Sequence, residues 1–163
     1  MDIKIVDNFL DKIDFKKVNE SYFNKKWEMQ QSSSRPPYGL DFLIHQVSSE
    51  KFFDNYLFNK IKQHLEGEYE IERIYFNGQW PGREGAFHSD NCDITALLYV
   101  SPYEYGWGGF TEILTSSTEP PTLVHPLQNR LLLFPGRIVH KGYSFSYQSC
   151  PLRVSLAYKL ITK

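Results

Sequence analysis

The stretch AFHSDNCDITALLYV, residues 86–100, places a histidine, one spacer and an aspartate directly before a run that is typical of a buried strand. Side chains at positions i and i+2 of an extended chain face the same side, so His88 and Asp90 can reach into one cavity. Imidazole and carboxylate groups are common ligands of transition metals. The stretch therefore predicts a metal site at the start of a strand.

Length, charge and cysteine content limit the class of protein. The chain has 163 residues, which predicts a single domain, 1–163, able to bury a core without disulfides. With 18 basic and 19 acidic residues the net charge is −1, so we expect neither nucleic acid nor a membrane as partner. Cys92 and Cys150 are the two cysteines, and no signal-like start or run of roughly 20 apolar residues is present. These features predict a reducing, cytoplasmic location.

The pattern of the chain changes once, near residue 67. Residues 1–67 are expected to form a helical N-terminal support, with one helix in DKIDFKKVNESYFNKKW (11–27) and a second in EKFFDNYLFNKIKQHLEG (50–67). Ser48 or Ser49 is the expected N-cap of the second helix, and SSSRPPYG (32–39) between them is expected to be a surface loop.

Residues 68–163 contain short β-rich runs separated by Gly, Pro, Asn and Ser, a pattern typical of a sandwich or barrel. The predicted class is therefore α+β, mostly β. Seven runs are predicted to be strands: YEIERIYFN, DITALLYVS, GFTEILT, PTLVHPL, NRLLLFPG, RIVHKGYSF and LRVSLAYKLI.

A third metal ligand is available on another predicted strand. His140 ends the stretch LLLFPGRIVH, and two imidazoles with one carboxylate make the facial triad of non-haem iron(II) oxygenases. A catalytic zinc ion can use similar ligands, so the ligands alone leave the metal open.

Arg153 and Ser155 add a second feature, because PLRVSLAYKL places them on the same face of one strand. A guanidinium pointing into a mostly apolar barrel is costly unless it meets an anion there, and its planar shape suits a carboxylate. We therefore expect this pair to bind the far end of a dicarboxylate.

Three longer segments surround these residues: RIYFNGQWPGREGAFHSD (73–90), LLYVSPYEYGWGGFTEI (97–113) and PLQNRLLLFPGRIVHKGYSF (126–145). Together with the order His-x-Asp, distal His and Arg-x-Ser, they resemble the iron(II)- and 2-oxoglutarate-dependent dioxygenase superfamily. The resemblance is strongest to its prolyl 4-hydroxylase-like branch and covers roughly residues 70–160.

The resemblance implies a double-stranded β-helix, or jelly-roll, core with the N-terminal helices packed on one sheet. It implies that His88, Asp90 and His140 hold iron(II) and that Arg153, with Ser155, anchors the 5-carboxylate of 2-oxoglutarate. The family often adds a tyrosine to this pocket, for which Tyr75 and Tyr99 are the candidates. Dioxygen is the second expected cosubstrate, and ascorbate is a further candidate cofactor.

Aromatic and basic residues in the flanking loops are candidates for a substrate mouth, with solvent-facing loop positions as the equal alternative. They are Trp80, Arg83, Tyr103, Tyr105, Trp107 and Arg137.

The resemblance implies an enzyme that hydroxylates an unactivated C–H bond, with a peptidyl residue such as proline as the first expectation. A free amino acid or another small metabolite is the second. Oxidative dealkylation of nucleic-acid bases is disfavoured by the near-neutral charge, and a vestigial jelly-roll binding module is disfavoured by the intact triad and arginine.

Overall fold

The computed structural model describes residues 2–23, 25–31, 41–116 and 118–163. The loop predicted at 32–39 lies outside these ranges. The helices are α1 (Lys12–Phe23) and α2 (Phe58–Lys62), and a π-helical turn, Phe52–Leu57, runs directly into α2. The strands are β1 (Lys4–Val6), β2 (Glu28–Gln31), β3 (Phe42–Gln46), β4 (Tyr69–Gln79), β5 (Ile94–Tyr99), β6 (Thr111–Ile113), β7 (Thr122–Val124), β8 (Leu131–Pro135), β9 (His140–Gly142) and β10 (Arg153–Thr162).

The strands form two antiparallel sheets. The larger sheet has seven strands in the order β1-β8-β5-β10-β4-β3-β2, and the smaller has the order β7-β6-β9. Ile113 and Val124 of the smaller sheet pack against Tyr99, Leu132 and Phe134 of the larger one. The two sheets therefore enclose a common interior, as in the jelly roll that the sequence predicts.

The smaller sheet is extended by the segment that carries the first metal ligand. His88 N donates to His140 O at 3.0 Å, and His140 N donates to His88 O at 2.8 Å. Gly85 N donates to Gly142 O at 3.3 Å, which continues the pairing. Two residues that lie far apart in the chain are thus held opposite each other by main-chain hydrogen bonds.

The helices cover the outer face of the larger sheet. Side chains alternate along the two central strands β4 and β10, so that Phe76 and Leu156 point toward the helices while Tyr75 and Ala157 point into the interior. Val18 of α1 is among the helical residues in the outer core. The expected packing of N-terminal helices on one sheet is confirmed.

Every strand predicted in residues 68–163 is present, within one to three residues at most ends. The N-terminal part differs from the prediction, because β2 and β3 add two strands beside β4. The predicted serine cap is wrong. The turn that begins at Phe52 has no side-chain cap, and Ser48 Oγ instead bonds to both the N–H and the carbonyl oxygen of Ile74.

Phe53 shows how strongly the helices depend on this outer core. Its side chain is fully buried, and its ring meets Phe76 edge-to-face at 5.6 Å. We expect Phe53→Ala to lower the free energy of unfolding by about 3–5 kcal/mol, since truncation of a buried phenylalanine leaves a cavity. Chemical denaturation measures this loss. Ile13→Ala is the control, because Ile13 is 79% exposed, and an equal loss in both variants would contradict the packing described.

None of the described helices is both long and apolar enough to cross a lipid bilayer.

Candidate metal centre and cosubstrate pocket

Three potential metal ligands converge in the interior between the two sheets. One ligand atom from each of His88, Asp90 and His140 can be chosen so that all lie within 4.8 Å of one another. His88 Nε2 is 3.7 Å from Asp90 Oδ1, and His140 Nε2 is 3.4 Å from Asp90 Oδ2. The ring centroids of the two histidines are 4.4 Å apart. A single ion can therefore contact all three side chains.

Main-chain carbonyls fix the orientation of both imidazoles. His88 Nδ1 lies 2.9 Å from Ala86 O, and His140 Nδ1 lies 2.8 Å from Ile138 O. A carbonyl oxygen can only accept a hydrogen bond, so each Nδ1 carries the proton and each Nε2 keeps its lone pair for a metal. Burial lowers the pKa of His88, which favours this neutral form.

Asp90 is held by two partners on neighbouring strands. Thr95 Oγ1 donates to Asp90 Oδ2 at 2.5 Å, and Lys159 Nζ donates to the same oxygen. Burial opposes ionisation of Asp90, but the charge and the hydrogen bond of Lys159 outweigh it, so the pKa of Asp90 lies well below its usual range. The carboxylate is therefore an ionised ligand at neutral pH.

Arg153 enters the same cavity as the triad, a space of about 260 Å³. Its side chain is 3% exposed. The guanidinium donates from Nε to Gly109 O at 2.7 Å and from Nη1 to Gln79 Oε1 at 2.8 Å. Among the described residues no carboxylate lies within ion-pair distance of it. A buried cation without an anion is unfavourable, and a bound carboxylate would relieve this.

Other polar atoms around the cavity are also unsatisfied. Ser155 Oγ and Asn77 Oδ1 are buried without a hydrogen-bond partner in the part of the chain described, and both residues line the cavity. Gly142 leaves space over Arg153, because a Cβ there would lie 4.0 Å from both terminal guanidinium nitrogens. The two imidazoles and one carboxylate of the triad suit iron(II). The end of the cavity around Arg153 and Ser155 suits one carboxylate of a dicarboxylate.

Comparison with known proteins gives structural relatives only: no family model and no curated protein matches the sequence. The chain is similar to a prolyl hydroxylase from Trichoplax adhaerens in complex with a hypoxia inducible factor oxygen degradation domain peptide, at 18% identity and a TM-score of 0.74, covering 98% of this chain and 83% of that one. A prolyl-4-hydroxylase from Pseudomonas putida aligns at 16% identity and a TM-score of 0.74, covering 96% and 91%.

A third similar structure is HygX from Streptomyces hygroscopicus with nickel, 2-oxoglutarate and hygromycin B bound, at 10% identity and a TM-score of 0.67, covering 99% of this chain and 83% of that one. The chain has the fold of the 2-oxoglutarate- and iron(II)-dependent oxygenases. The resemblance seen in the sequence is thereby confirmed for the fold, which prolyl hydroxylases share.

The two candidate tyrosines of this oxygenase fold occupy different places. Tyr75 lines the cavity directly, with the Arg73 guanidinium over its ring at 4.3 Å. The Tyr99 hydroxyl donates to Thr111 Oγ1 at 2.8 Å, and Arg153 Nη2 contacts the same oxygen at 3.4 Å. Both tyrosines therefore stay candidates for the 2-oxoglutarate pocket. Tyr75 could contact the cosubstrate directly, whereas Tyr99 would act through Thr111.

The residues predicted for a substrate mouth lie outside the cavity lining. Trp80 is 50% exposed, Arg83 is exposed, and Arg137 reaches toward Asp93, with 3.8 Å between Nη2 and Oδ1. The half-buried Tyr103 bonds to His125 Nδ1 at 2.8 Å. Phe145 lies against both Trp107 and Tyr103, and Tyr103 lies against Tyr105, which gives an aromatic cluster outside the cavity. Their role in substrate binding stays a prediction.

Several residues that contact the site were not predicted from the sequence. Thr95 and Lys159 hold Asp90, while Gln79 and Thr111 contact Arg153. One signal for Lys159 was available, because it follows Arg153 and Ser155 at even spacing in β10 and must face the same side. The others depend on how different strands are paired.

Thr95 gives a direct test of how the carboxylate ligand is held. Thr95→Val keeps the shape of a fully buried side chain but removes the donor to Asp90 Oδ2. We expect the affinity for iron(II) or manganese(II) to fall about tenfold, the lower end of the effect of losing a partner of a metal ligand. Titration calorimetry under anaerobic conditions measures it. Thr95→Ser retains the hydroxyl and should bind metal nearly normally, and equal losses in the two variants would argue against the hydrogen bond.

Proposed function

We propose that this protein is an iron(II)- and 2-oxoglutarate-dependent dioxygenase that hydroxylates an unactivated C–H bond. The reaction would couple this hydroxylation to decarboxylation of 2-oxoglutarate, giving succinate and carbon dioxide. The observation that carries the proposal is that the His-Asp-His triad and a buried Arg153, which has no carboxylate partner among the described residues, open into one cavity. A vestigial module has no chemical need for this combination.

In this proposal His88, Asp90 and His140 hold the iron, and Arg153 with Ser155 binds the 5-carboxylate of 2-oxoglutarate. The bound iron supplies the centre at which the cosubstrates react. Lys159 and Thr95 keep Asp90 ionised and oriented. The apolar lining, which includes Ile44, Leu97 and Ala157, limits the access of water to the reacting groups.

For the substrate we propose a peptidyl residue such as proline as the first candidate class. The Trichoplax adhaerens enzyme of the same fold is in complex with a peptide. The alternative is a free amino acid or small metabolite, and HygX, which binds hygromycin B, supports it. A cytoplasmic location, a single domain over residues 1–163, and a role for ascorbate remain part of the proposal.

The test is turnover of the cosubstrates by the purified protein. Protein reconstituted with iron(II) under anaerobic conditions and then given oxygen should convert 2-oxoglutarate slowly to succinate even without substrate. Protein treated with a chelator is the control and should form none. Incubation with a peptide library and an amino-acid panel should then show a mass gain of one oxygen atom. Absence of both 2-oxoglutarate binding and succinate would contradict the proposal.

A further inference from the structure

The two central strands of the larger sheet carry matched rows of side chains along the cavity. At one end of the paired strands Arg153 lies opposite Gln79, and at the other end Lys159 lies opposite Arg73. All four residues line the cavity. The cavity therefore has a cationic group at each end of these rows, and the Arg73–Lys159 end has no role in the proposed cosubstrate binding.

Contacts place the metal ligands between these two ends. Gly142 lies beside the Arg153 guanidinium and the Gln79 amide, and His140 is two residues away on the same face of β9. Asp90 Oδ2 contacts both His140 and Lys159, so the triad adjoins the Arg73–Lys159 end as well. Cosubstrate bound between Arg153 and the triad would thus leave the Arg73–Lys159 end free for another ligand.

The charges of the cavity do not balance. Its described lining has three cationic side chains, Arg73, Arg153 and Lys159, and one carboxylate, Asp90, while the two histidines serve as neutral ligands. Iron(II) and the 2-oxoglutarate dianion would cancel each other, so the excess of positive charge would persist with both bound. Buried or half-buried charges of one sign favour a ligand of the opposite sign.

Arg73 has donors available for such a ligand. Its ring contact with Tyr75 and a hydrogen bond from Nε to Gln46 Oε1 at 3.4 Å hold the side chain, and no carboxylate in the described residues pairs with it. Glu72, its neighbour in the sequence, is exposed and does not line this cavity, but it lines an adjoining depression to which Arg73 and Lys159 also contribute. The guanidinium carries five N–H donors, of which the Gln46 amide oxygen can engage two, from Nε and Nη2, and three remain.

We infer that the substrate carries a carboxylate that binds at the Arg73–Lys159 end of the cavity, next to the carbon that is hydroxylated. This inference rests on the proposed oxygenase function and narrows its substrate class. A cavity of about 260 Å³ that also receives the cosubstrate admits only a compact group. The carboxylate belongs either to a small free acid or to an acidic side chain of a peptide, and the two sources share the same chemistry.

The experiment compares acids with their neutral amides. Protein loaded with manganese(II) and 2-oxoglutarate is titrated anaerobically with N-acetylated amino acids and their amides, and with peptides that differ by Glu against Gln or Asp against Asn. We expect at least one acid to bind about tenfold or more tightly than its amide, because a charge-assisted hydrogen bond is lost in the amide. The same acid should stimulate succinate formation by the iron(II) protein.

Variants connect this preference to Arg73. Arg73→Gln should weaken binding of the preferred acid about tenfold and leave its amide unaffected, whereas Arg73→Lys should retain part of the preference. Lys12→Gln is the control for the loss of one positive charge. Lys12 is exposed, begins α1 and does not line the cavity. Thermal unfolding of each variant checks that the fold is intact.

The results separate this inference from the proposed function. Binding of 2-oxoglutarate to the manganese(II) protein is measured first, and its absence would count against the oxygenase function itself. With 2-oxoglutarate bound, no preference for any acid over its amide would overturn the inference, as would a preference that survives unchanged in Arg73→Gln. If free acids bind and acidic peptides do not, the substrate is a small molecule. If acidic peptides bind and free acids do not, the substrate is a peptide.

Discussion

Asp90→Ala is expected to lower the affinity for iron(II) more than about a hundredfold. Removing a residue that only hydrogen-bonds to a metal ligand already lowers metal affinity about ten- to a hundredfold. Asp90 is the one carboxylate in the described cavity lining, and its contact with Lys159 keeps it ionised. Without it, two neutral imidazoles and a nearby ammonium group would face the ion. Metal content after anaerobic loading and desalting measures the loss, and succinate formation should fall with it.

Glu119→Gln is the matched control for Asp90→Ala, because Glu119 is an exposed carboxylate outside the site. It should retain one equivalent of metal. An Asp90→Ala protein that keeps stoichiometric iron while its thermal unfolding is unchanged would show that the ion binds elsewhere. Asp90→Asn gives a further comparison, because it retains a neutral oxygen ligand at the same position and should show an intermediate affinity.

Arg153→Gln should spare metal binding but weaken 2-oxoglutarate about ten- to a hundredfold, the range expected when a charge-assisted contact worth about 1.5–3 kcal/mol is lost. The guanidinium is buried, has no carboxylate partner in the described residues, and shares its end of the cavity with Ser155. Calorimetric titration of the manganese(II) protein with 2-oxoglutarate measures the effect.

Pyruvate is the matched ligand for this variant, because it has the keto acid end of 2-oxoglutarate but lacks the distal carboxylate. Its weak binding should be nearly equal in wild type and Arg153→Gln. A variant that loses affinity for both compounds to the same extent would indicate a general disturbance of the pocket. Unchanged affinity for 2-oxoglutarate would remove Arg153 from the cosubstrate site.

The β core could be predicted from the sequence because its strands are short β-rich runs separated by turn residues, as in DITALLYVS, which contains β5. The strands β2 and β3 could not. The run Glu28–Gln31 has no alternation, and its pairing depends on the free edge of β3. Phe42–Gln46 begins with three consecutive apolar residues, which periodicity cannot assign to a strand or a helix.

The second helix shows a similar division. In the sequence, Phe53, Leu57, Ile61 and Leu65 lie four apart and predict one buried face. The first three are buried, and Leu65 is half-buried. Spacing did not reveal that its first part is π-helical or that Ser48 is used by β4 instead of by the helix. Side-chain hydroxyls have several possible partners, and tertiary contacts decide among them.

The candidate site was predictable as far as its chemistry depends on residue type and even spacing. His88 and Asp90 share a face because they are two apart, and Arg153 and Ser155 do so for the same reason. Thr95 and Arg73 could not be assigned in this way, since their places follow from the pairing of β5 and β4 with β10. Their contribution depends on strand register, which the sequence does not state.

The reciprocal main-chain pairing of His88 with His140 has a consequence for how the ion would be retained. Both imidazoles belong to one antiparallel residue pair. Breaking its two main-chain hydrogen bonds would therefore separate the two histidine ligands. Release of the ion and local opening of this sheet edge would then be one thermodynamic event. A bound cation would stabilise this edge of the smaller sheet against local unfolding. The rate of that unfolding would set how long the protein retains the metal.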